Sequence, residues 1–253
     1  MRISEAFQNR PLLIAYICAG DPTAEATVEI ARRLEKAGAD IIELGLPFSD
    51  PIADGPVIQA ASQRALACGM NTDLYFETVG NLGVKVPKVF MGYYNMILRR
   101  GLDRFARDCS NSGISGLIVP DLPMEEAEPL RSSCLAEDVD LIYLIAPNTP
   151  KERISSIVER SSGFIYLVAR SGVTGARSDL LDSTAELIGR VPASLPRAVG
   201  FGISTPEQAA SVVRAGADAA IVGSACVDLV ARGEYDRLEA LIREMKDAVL
   251  KAK

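Results

Sequence analysis

The chain has 253 residues, about half of them apolar, and a formal net charge of −6. That length fits two small domains or one large barrel, and the acidic balance argues against a nucleic-acid surface, which needs clustered Lys and Arg. No apolar run approaches the ~20 residues of a membrane span, and the mixed polar start at residues 1–8 is no signal peptide, so a cytoplasmic location is expected.

Short apolar runs predict eight strands, at 12–18, 40–44, 88–91, 116–119, 140–145, 163–168, 197–199 and 219–222. Helical patterns separate them at 23–36, 57–68, 102–112, 124–137, 151–160, 179–189 and 206–215, and a last helix is predicted over 236–250. A short helix is also expected at the amino terminus. Each strand is apolar throughout rather than alternating, as in parallel strands covered on both faces. An internal repeat supports the same reading. Ala37-Gly38-Ala39-Asp40 and Ala215-Gly216-Ala217-Asp218 each precede an apolar run, and Ser112-Gly113-Ile114-Ser115 is a looser version. In each, the glycine is read as a left-handed helix cap before the chain turns into a strand. Eight such units with no Pro/Gly/Ser-rich linker predict an α/β fold, a single (β/α)8 TIM barrel over residues 1–253. The rival, an open doubly wound sheet with a second domain, has no boundary to use.

Histidine and tryptophan are both absent. Without histidine, the usual proton shuttle near neutral pH, acid–base chemistry falls to carboxylates, tyrosines, lysines or cysteines. The five cysteines, Cys18, Cys68, Cys109, Cys134 and Cys226, form no CxxC pair, so they read as buried reduced thiols rather than a zinc or disulfide framework. The most telling stretch is Glu43-Leu44-Gly45-Leu46-Pro47-Phe48-Ser49-Asp50-Pro51-Ile52-Ala53-Asp54-Gly55-Pro56. It places one carboxylate, Glu43, at the end of a buried strand and a second, Asp54, on the proline-stiffened loop that follows.

Barrel chemistry sits at the carboxyl ends of the strands. Those ends offer Tyr16, Asp21, Glu43, Tyr93, Asn95, Asp121, Asn148, Tyr166 and Arg170. Three consecutive glycine turns, Ser171-Gly172-Val173-Thr174-Gly175, Gly200-Phe201-Gly202 and Gly223-Ser224, point to a phosphate site built from backbone N–H groups and a helix N-terminus. The lysines (Lys36, Lys85, Lys88, Lys151, Lys246, Lys251, Lys253) all fall away from the strand ends, leaving no Schiff-base candidate. No metal site is expected without histidine ligands. A carbon–carbon lyase built here would need a substrate that carries its own electron sink.

On these residues the chain resembles the tryptophan synthase α subunit family from end to end. The stretch from Glu43 to Pro56 is the most specific mark. Gly20-Asp21-Pro22, Val119-Pro120-Asp121-Leu122-Pro123, Arg170-Ser171-Gly172-Val173-Thr174-Gly175 and Gly200-Phe201-Gly202-Ile203-Ser204 add to it. The resemblance implies retro-aldol cleavage of indole-3-glycerol phosphate to indole and glyceraldehyde 3-phosphate, with indole passed to a β subunit that holds pyridoxal phosphate. No cofactor is expected in this chain, and an α2β2 assembly is. Glu43 would be the mobile general acid–base, Asp54 would accept the indole N1–H, and Tyr166 would help place the glycerol phosphate and Glu43. Tyr16, Ile58, Tyr93 and Phe201 would line the indole pocket, and Thr174, Gly175, Gly202, Gly223 and Ser224 would hold the phosphate end. Loops 47–58 and 174–180 are expected to be mobile without ligand.

Each role has a structural alternative. Glu43 also fits a strand-end salt bridge, Asp54 a turn residue before Gly55-Pro56, and Tyr166 a core tyrosine with a bonded hydroxyl. Tyr16 stands where many family members carry Phe, Cys18-Ala19 replaces a frequent Thr and a bulkier residue, and Ala169 replaces a common Ser. These differences bear on pocket shape. The competing functions are a catalytically weak barrel that mainly activates its β subunit and another phosphate-binding barrel enzyme, such as a sugar-phosphate isomerase. The intact Glu43 and Asp54 favour the lyase.

Overall fold

The computed structural model describes residues 1–169, 177–200 and 202–252, and the backbone alone at residues 177–182. Among them nine short strands pair in parallel: β1 (Leu12–Cys18), β2 (Ile41–Gly45), β3 (Lys88–Met91), β4 (Ile114–Ile118), β5 (Asp140–Ile142), β6 (Leu144–Ile145), β7 (Ile165–Val168), β8 (Arg197–Gly200) and β9 (Ala219–Val222). Their order is β5-β4-β3-β2-β1-β9-β8-β7-β6. The two ends of that order are halves of one continuous segment. On one side Ile142 pairs with Ile118, on the other Leu144 pairs with Tyr166, and Tyr143 O between them accepts the Tyr166 N–H at 3.1 Å. The fifth expected strand therefore changes partner at Tyr143, and the sheet closes on itself as a TIM barrel.

Two apolar layers hold it. One lies between the strands and the surrounding helices, with Leu13, Ile42, Leu44, Phe90 and Leu117 in it. The other fills the barrel itself, with Leu12, Ile14, Ile41, Val89, Ile118, Ile142, Ala198 and Ile221 pointing inward. The short helix Ile3–Ala6 and the turn Phe7–Asn9 close the amino-terminal mouth. Ile3 is fully buried there, and Phe7 meets Phe164 with ring centroids 5.7 Å apart. Burying a side chain of that size contributes roughly 1.5–3 kcal/mol.

Local signals explain most element boundaries. Thr23 caps helix Ala24–Ala37 by accepting the Ala26 N–H, and Gly38, at φ +108°, ends it in the left-handed region. The repeat is less uniform at its other copies. Gly113 and Gly216 also have positive φ, but each lies one residue beyond a right-handed cap, Ser112 and Ala215. The repeat aspartates tie neighbouring strands together at this mouth: Asp40 accepts the Leu13 N–H at 2.7 Å, and Asp218 the Arg197 N–H at 2.9 Å.

Helices Thr72–Gly80 and Tyr94–Arg100 lie outside the sequence-derived pattern. The predicted helix over 124–137 divides into a 3-10 turn, Met124–Glu126, and a helix, Glu128–Ala136. Residues 224–231, between the last strand and the C-terminal helix, form a further helix, Ser224–Ala231.

Candidate active site

A cavity of about 260 Å³ opens at the carboxyl-terminal mouth, and its wall includes Tyr16, Glu43, Asp54, Ile58, Tyr166, Gly202, Gly223 and Ser224. These residues come from five different strand ends and the loops after them, brought together only by closure of the barrel. Tyr16 and Glu43 are register neighbours on β1 and β2. Tyr16 follows the inward-facing Leu12 and Ile14 at alternate positions, and Glu43 follows Ile41. A larger groove of about 620 Å³ lies at the opposite mouth beneath the amino-terminal helix. Charge there is balanced by surface pairs such as Arg2–Asp138. Volume alone would choose that groove, whereas the chemistry chooses the smaller cavity.

Glu43 is 1% exposed. Its Oε2 is sealed from solvent and has no hydrogen-bond partner among the described residues. Taking an ionised carboxylate out of water costs several kcal/mol when nothing compensates it, so the neutral form is favoured. Burial first, then the nearby charge of Asp54, pushes its pKa up to about 8. At neutral pH Glu43 is therefore mostly a carboxylic acid, able to give a proton and then, as carboxylate, to take one. Among the described residues no cation pairs with Glu43 to supply the salt-bridge alternative.

Asp54 is half-buried where the proline-rich loop runs into helix Pro56–Ala67. Burial raises its pKa, and a hydrogen bond donated by the Tyr93 hydroxyl at 3.0 Å lowers it. The same hydroxyl accepts the Ala53 N–H at 3.0 Å, and the Tyr93 ring stacks on Phe48 at 5.2 Å. Tyr93 thus stands behind Asp54, outside the cavity wall, and fixes the loop from the third strand. The Tyr94 N–H in turn bonds Asp121 Oδ1 at 2.9 Å, tying this turn to the end of β4.

Two glycines make room for the tyrosines. A Cβ at Gly45 would lie 2.2 Å from the Tyr16 hydroxyl, and one at Gly200 would lie 2.3 Å from that of Tyr166. No other residue type leaves space at either strand end. Sequence reading missed this pairing, along with Met91 and Ile221 of the wall. Because the strands are apolar on both faces, alternation carried no signal of which side faced inward.

At the phosphate end, helix Ser224–Ala231 begins at Gly223 with no side-chain cap. Its free first-turn N–H groups and positive dipole end favour an anion. The neighbouring helix Pro206–Arg214 differs: Thr205 and Gln208 close its N-terminus in a reciprocal capping box. No Lys or Arg among the described residues lines the cavity, so backbone groups carry the anion-binding capacity described here. Thr174, Gly175 and Phe201 lie outside the described residues, as do Arg170 and residue 176 of the expected loop 174–180, whose residues 177–180 instead open helix Arg177–Arg190.

Comparison with known proteins places this geometry in a family. Residues 4–251 match the family model described as tryptophan synthase alpha chain. The chain is 56% identical over 258 residues to the tryptophan synthase alpha chain of Methanosarcina acetivorans, covering 99% of this chain and 95% of that one. Among solved structures, the tryptophan synthase subunit alpha of Legionella pneumophila superposes with a TM-score of 0.90 at 34% identity, covering 99% and 98% of the two chains. A chain of the tryptophan synthase α2β2 complex of Pyrococcus furiosus gives a TM-score of 0.88 at 37% identity, covering 93% and 98%.

Proposed function

The chain belongs to the tryptophan synthase alpha chain family, and we propose that Glu43 and Asp54 carry its chemistry between them. The reaction is cleavage of indole-3-glycerol phosphate to indole and glyceraldehyde 3-phosphate, a lyase step in tryptophan biosynthesis. Glu43, neutral at pH 7, protonates indole C3. The ring becomes an iminium cation, and the ionised Asp54 holds its N1–H and stabilises the charge. Glu43, now a carboxylate, takes the proton from the hydroxyl on the carbon attached to C3. The C–C bond electrons return to the ring, indole leaves, and the hydroxyl carbon becomes the aldehyde of glyceraldehyde 3-phosphate. Glu43 ends protonated as it began, so the cycle closes without another proton donor. The ring is the electron sink, which is why no lysine is needed at the strand ends.

The observation that carries this reading is Glu43, its Oε2 sealed and unpaired among the described residues and its pKa raised to about 8, sharing one small cavity with Asp54. Ile58 and Phe201 are assigned to the indole half of the cavity, and Tyr16, whose ring reaches from Gly223 to Gly45, to its border with the phosphate end. Tyr166 is assigned to help position Glu43 and the glycerol phosphate. Gly202, Gly223 and Ser224 are assigned to the phosphate, with Thr174 and Gly175 assigned by sequence to the same end. Tyr93 acts by holding Asp54.

A β subunit is the partner that receives indole, in an α2β2 assembly. Pyridoxal phosphate belongs to that subunit, and this chain works with its own side chains. One domain over residues 1–253 carries the site, and the location is cytoplasmic, in keeping with five free thiols.

The test is indole release from indole-3-glycerol phosphate by the purified chain, with and without a β subunit, alongside Glu43→Gln and Asp54→Asn. Cleavage that both substitutions lower by about a hundredfold or more supports the lyase and its two carboxylates. Stimulation of the β subunit with no cleavage under any condition would make the chain an activator instead.

A further inference from the structure

Tyr16 ends in a hydroxyl that no described residue hydrogen-bonds. The residue is only 8% exposed, yet among the described residues the sealed and unpartnered polar side-chain atom is Glu43 Oε2, not this hydroxyl. Its remaining exposure is therefore toward the cavity, whose wall it forms. A phenylalanine would fill the same inward-facing position after Leu12 and Ile14 without bringing a polar group. A buried hydroxyl left unpaired is unfavourable, so it implies a partner supplied by the bound molecule.

The position of the ring says which part of that molecule it meets. At its base, a Cβ at Gly223 would touch Tyr16 Cβ and Cδ1 at 3.6 and 3.7 Å. At its tip, the hydroxyl lies over Gly45, two residues past Glu43, where a Cβ would come within 2.2 Å. Tyr16 thus spans from the uncapped helix start, the phosphate end, to the strand end that carries the proton donor. The stretch of substrate between those ends is the three-carbon glycerol chain, the only part with alcohol groups.

We propose that the Tyr16 hydroxyl donates a hydrogen bond to a glycerol hydroxyl of the substrate and so selects the hydroxylated chain over a plain three-carbon linker. This rests on the lyase reading above. Burial raises the Tyr16 pKa well above the ordinary tyrosine value, which keeps it a donor throughout the working range.

The experiment compares wild type with Tyr16→Phe in two measurements. One is kcat/KM for indole-3-glycerol phosphate. The other is the inhibition constant of the analogue in which indole and phosphate are joined by an unsubstituted three-carbon chain. The expected result is a loss of about tenfold in kcat/KM, the size of one hydrogen bond to a neutral group, with the inhibition constant unchanged within about twofold. An unchanged kcat/KM in a wild type that turns over would overturn the proposal alone. A parallel rise in the inhibition constant would also overturn it, because the ring's shape rather than its hydroxyl would then be at work. A wild type that neither cleaves the substrate nor binds the analogue would overturn the site reading and this proposal with it.

Discussion

The two mouths of the barrel differ in which polar groups they leave unpaired. At the amino-terminal mouth the charges of Asp40, Asp218 and Lys88 are met. Asp40 accepts from the Leu13 N–H and from Lys246 Nζ at 2.6 Å. Asp218 accepts from Arg10 at 2.8 Å and from the Arg197 N–H at 2.9 Å. Lys88, nearly buried at the start of β3, donates to the carbonyls of Val79 and Ser112. At the carboxyl-terminal mouth, among the described residues, Glu43 Oε2 has no partner and helix Ser224–Ala231 has no side-chain cap. A charge that is paired holds neighbouring strands in register. One left unpaired raises the free energy of the empty site, and the substrate can lower it. Pairing occurs at the active mouth as well, where Arg64 holds the buried Asp21 at 2.8 and 2.7 Å, so it is Glu43 itself, and not its whole end of the barrel, that is left for the chemistry.

Glu43→Gln should separate the two most sharply. Losing the proton donor is expected to lower kcat by about 10³-fold, within the range for a positioned general acid–base, measured as indole release. Stability should move the other way with pH. A carboxyl raised from 4.5 to about 8 binds more protons folded than unfolded between those values. Stability is therefore fully present below about pH 4.5 and falls as pH rises toward 8, by at most about 1.4 kcal/mol per pH unit. The glutamine variant lacks that term, so its melting temperature should overtake the wild type's as pH rises from 5 to 8. Parallel melting curves across that range would mean Glu43 is not sealed as the structure shows.

Asp54 and Tyr93 sharpen the comparison within the active mouth. Asp54→Asn removes the charge opposite the protonated ring and should cost about 10²-fold in kcat/KM. Tyr93→Phe should do less and show itself differently. The Tyr93 hydrogen bond lowers the Asp54 pKa against burial, so removing it raises that pKa further. The acid limb of the pH–rate profile should move to higher pH, with a loss of a few fold at neutral pH. A uniform loss at all pH values would assign Tyr93 to packing alone.

The barrel was legible because its signals are local. Ala-Gly-Ala-Asp before a run such as residues 40–44 announces a helix end and a strand start within a few residues. The helix Tyr94–Arg100 was not, because its first N–H is met by Asp121, 27 residues away, a partner that no local pattern encodes. Asn71, which caps Thr72–Gly80 by accepting the Asp73 and Leu74 N–H groups, was a usable signal for the other missed helix. At the site, Glu43 and Asp54 stood out because, in a chain without histidine, one closes a buried strand and the other sits on the proline-stiffened loop that follows. The hold of Tyr93 on Asp54 and the clearance of Gly45 for Tyr16 were hidden. Both depend on contacts across strands, and a glycine at a strand end reads in sequence as a turn.

The smallest effect on activity is expected at the opposite mouth. Asp218 is 13% exposed and accepts from two arginines and a backbone N–H of β8. Asp218→Asn keeps one acceptor but turns an NH2 group toward guanidinium groups and leaves them without their counter-charge. Breaking a half-buried, hydrogen-bonded pair of this kind should cost about 2 kcal/mol, a fall in melting temperature of roughly 4–8 °C for a chain of this size. Because no part of Asp218 reaches the cavity wall, kcat/KM at 25 °C should stay within about twofold of wild type. A drop in turnover matching the drop in stability would show that strand register at the paired mouth is transmitted to Glu43, and the separation of the two ends would fail.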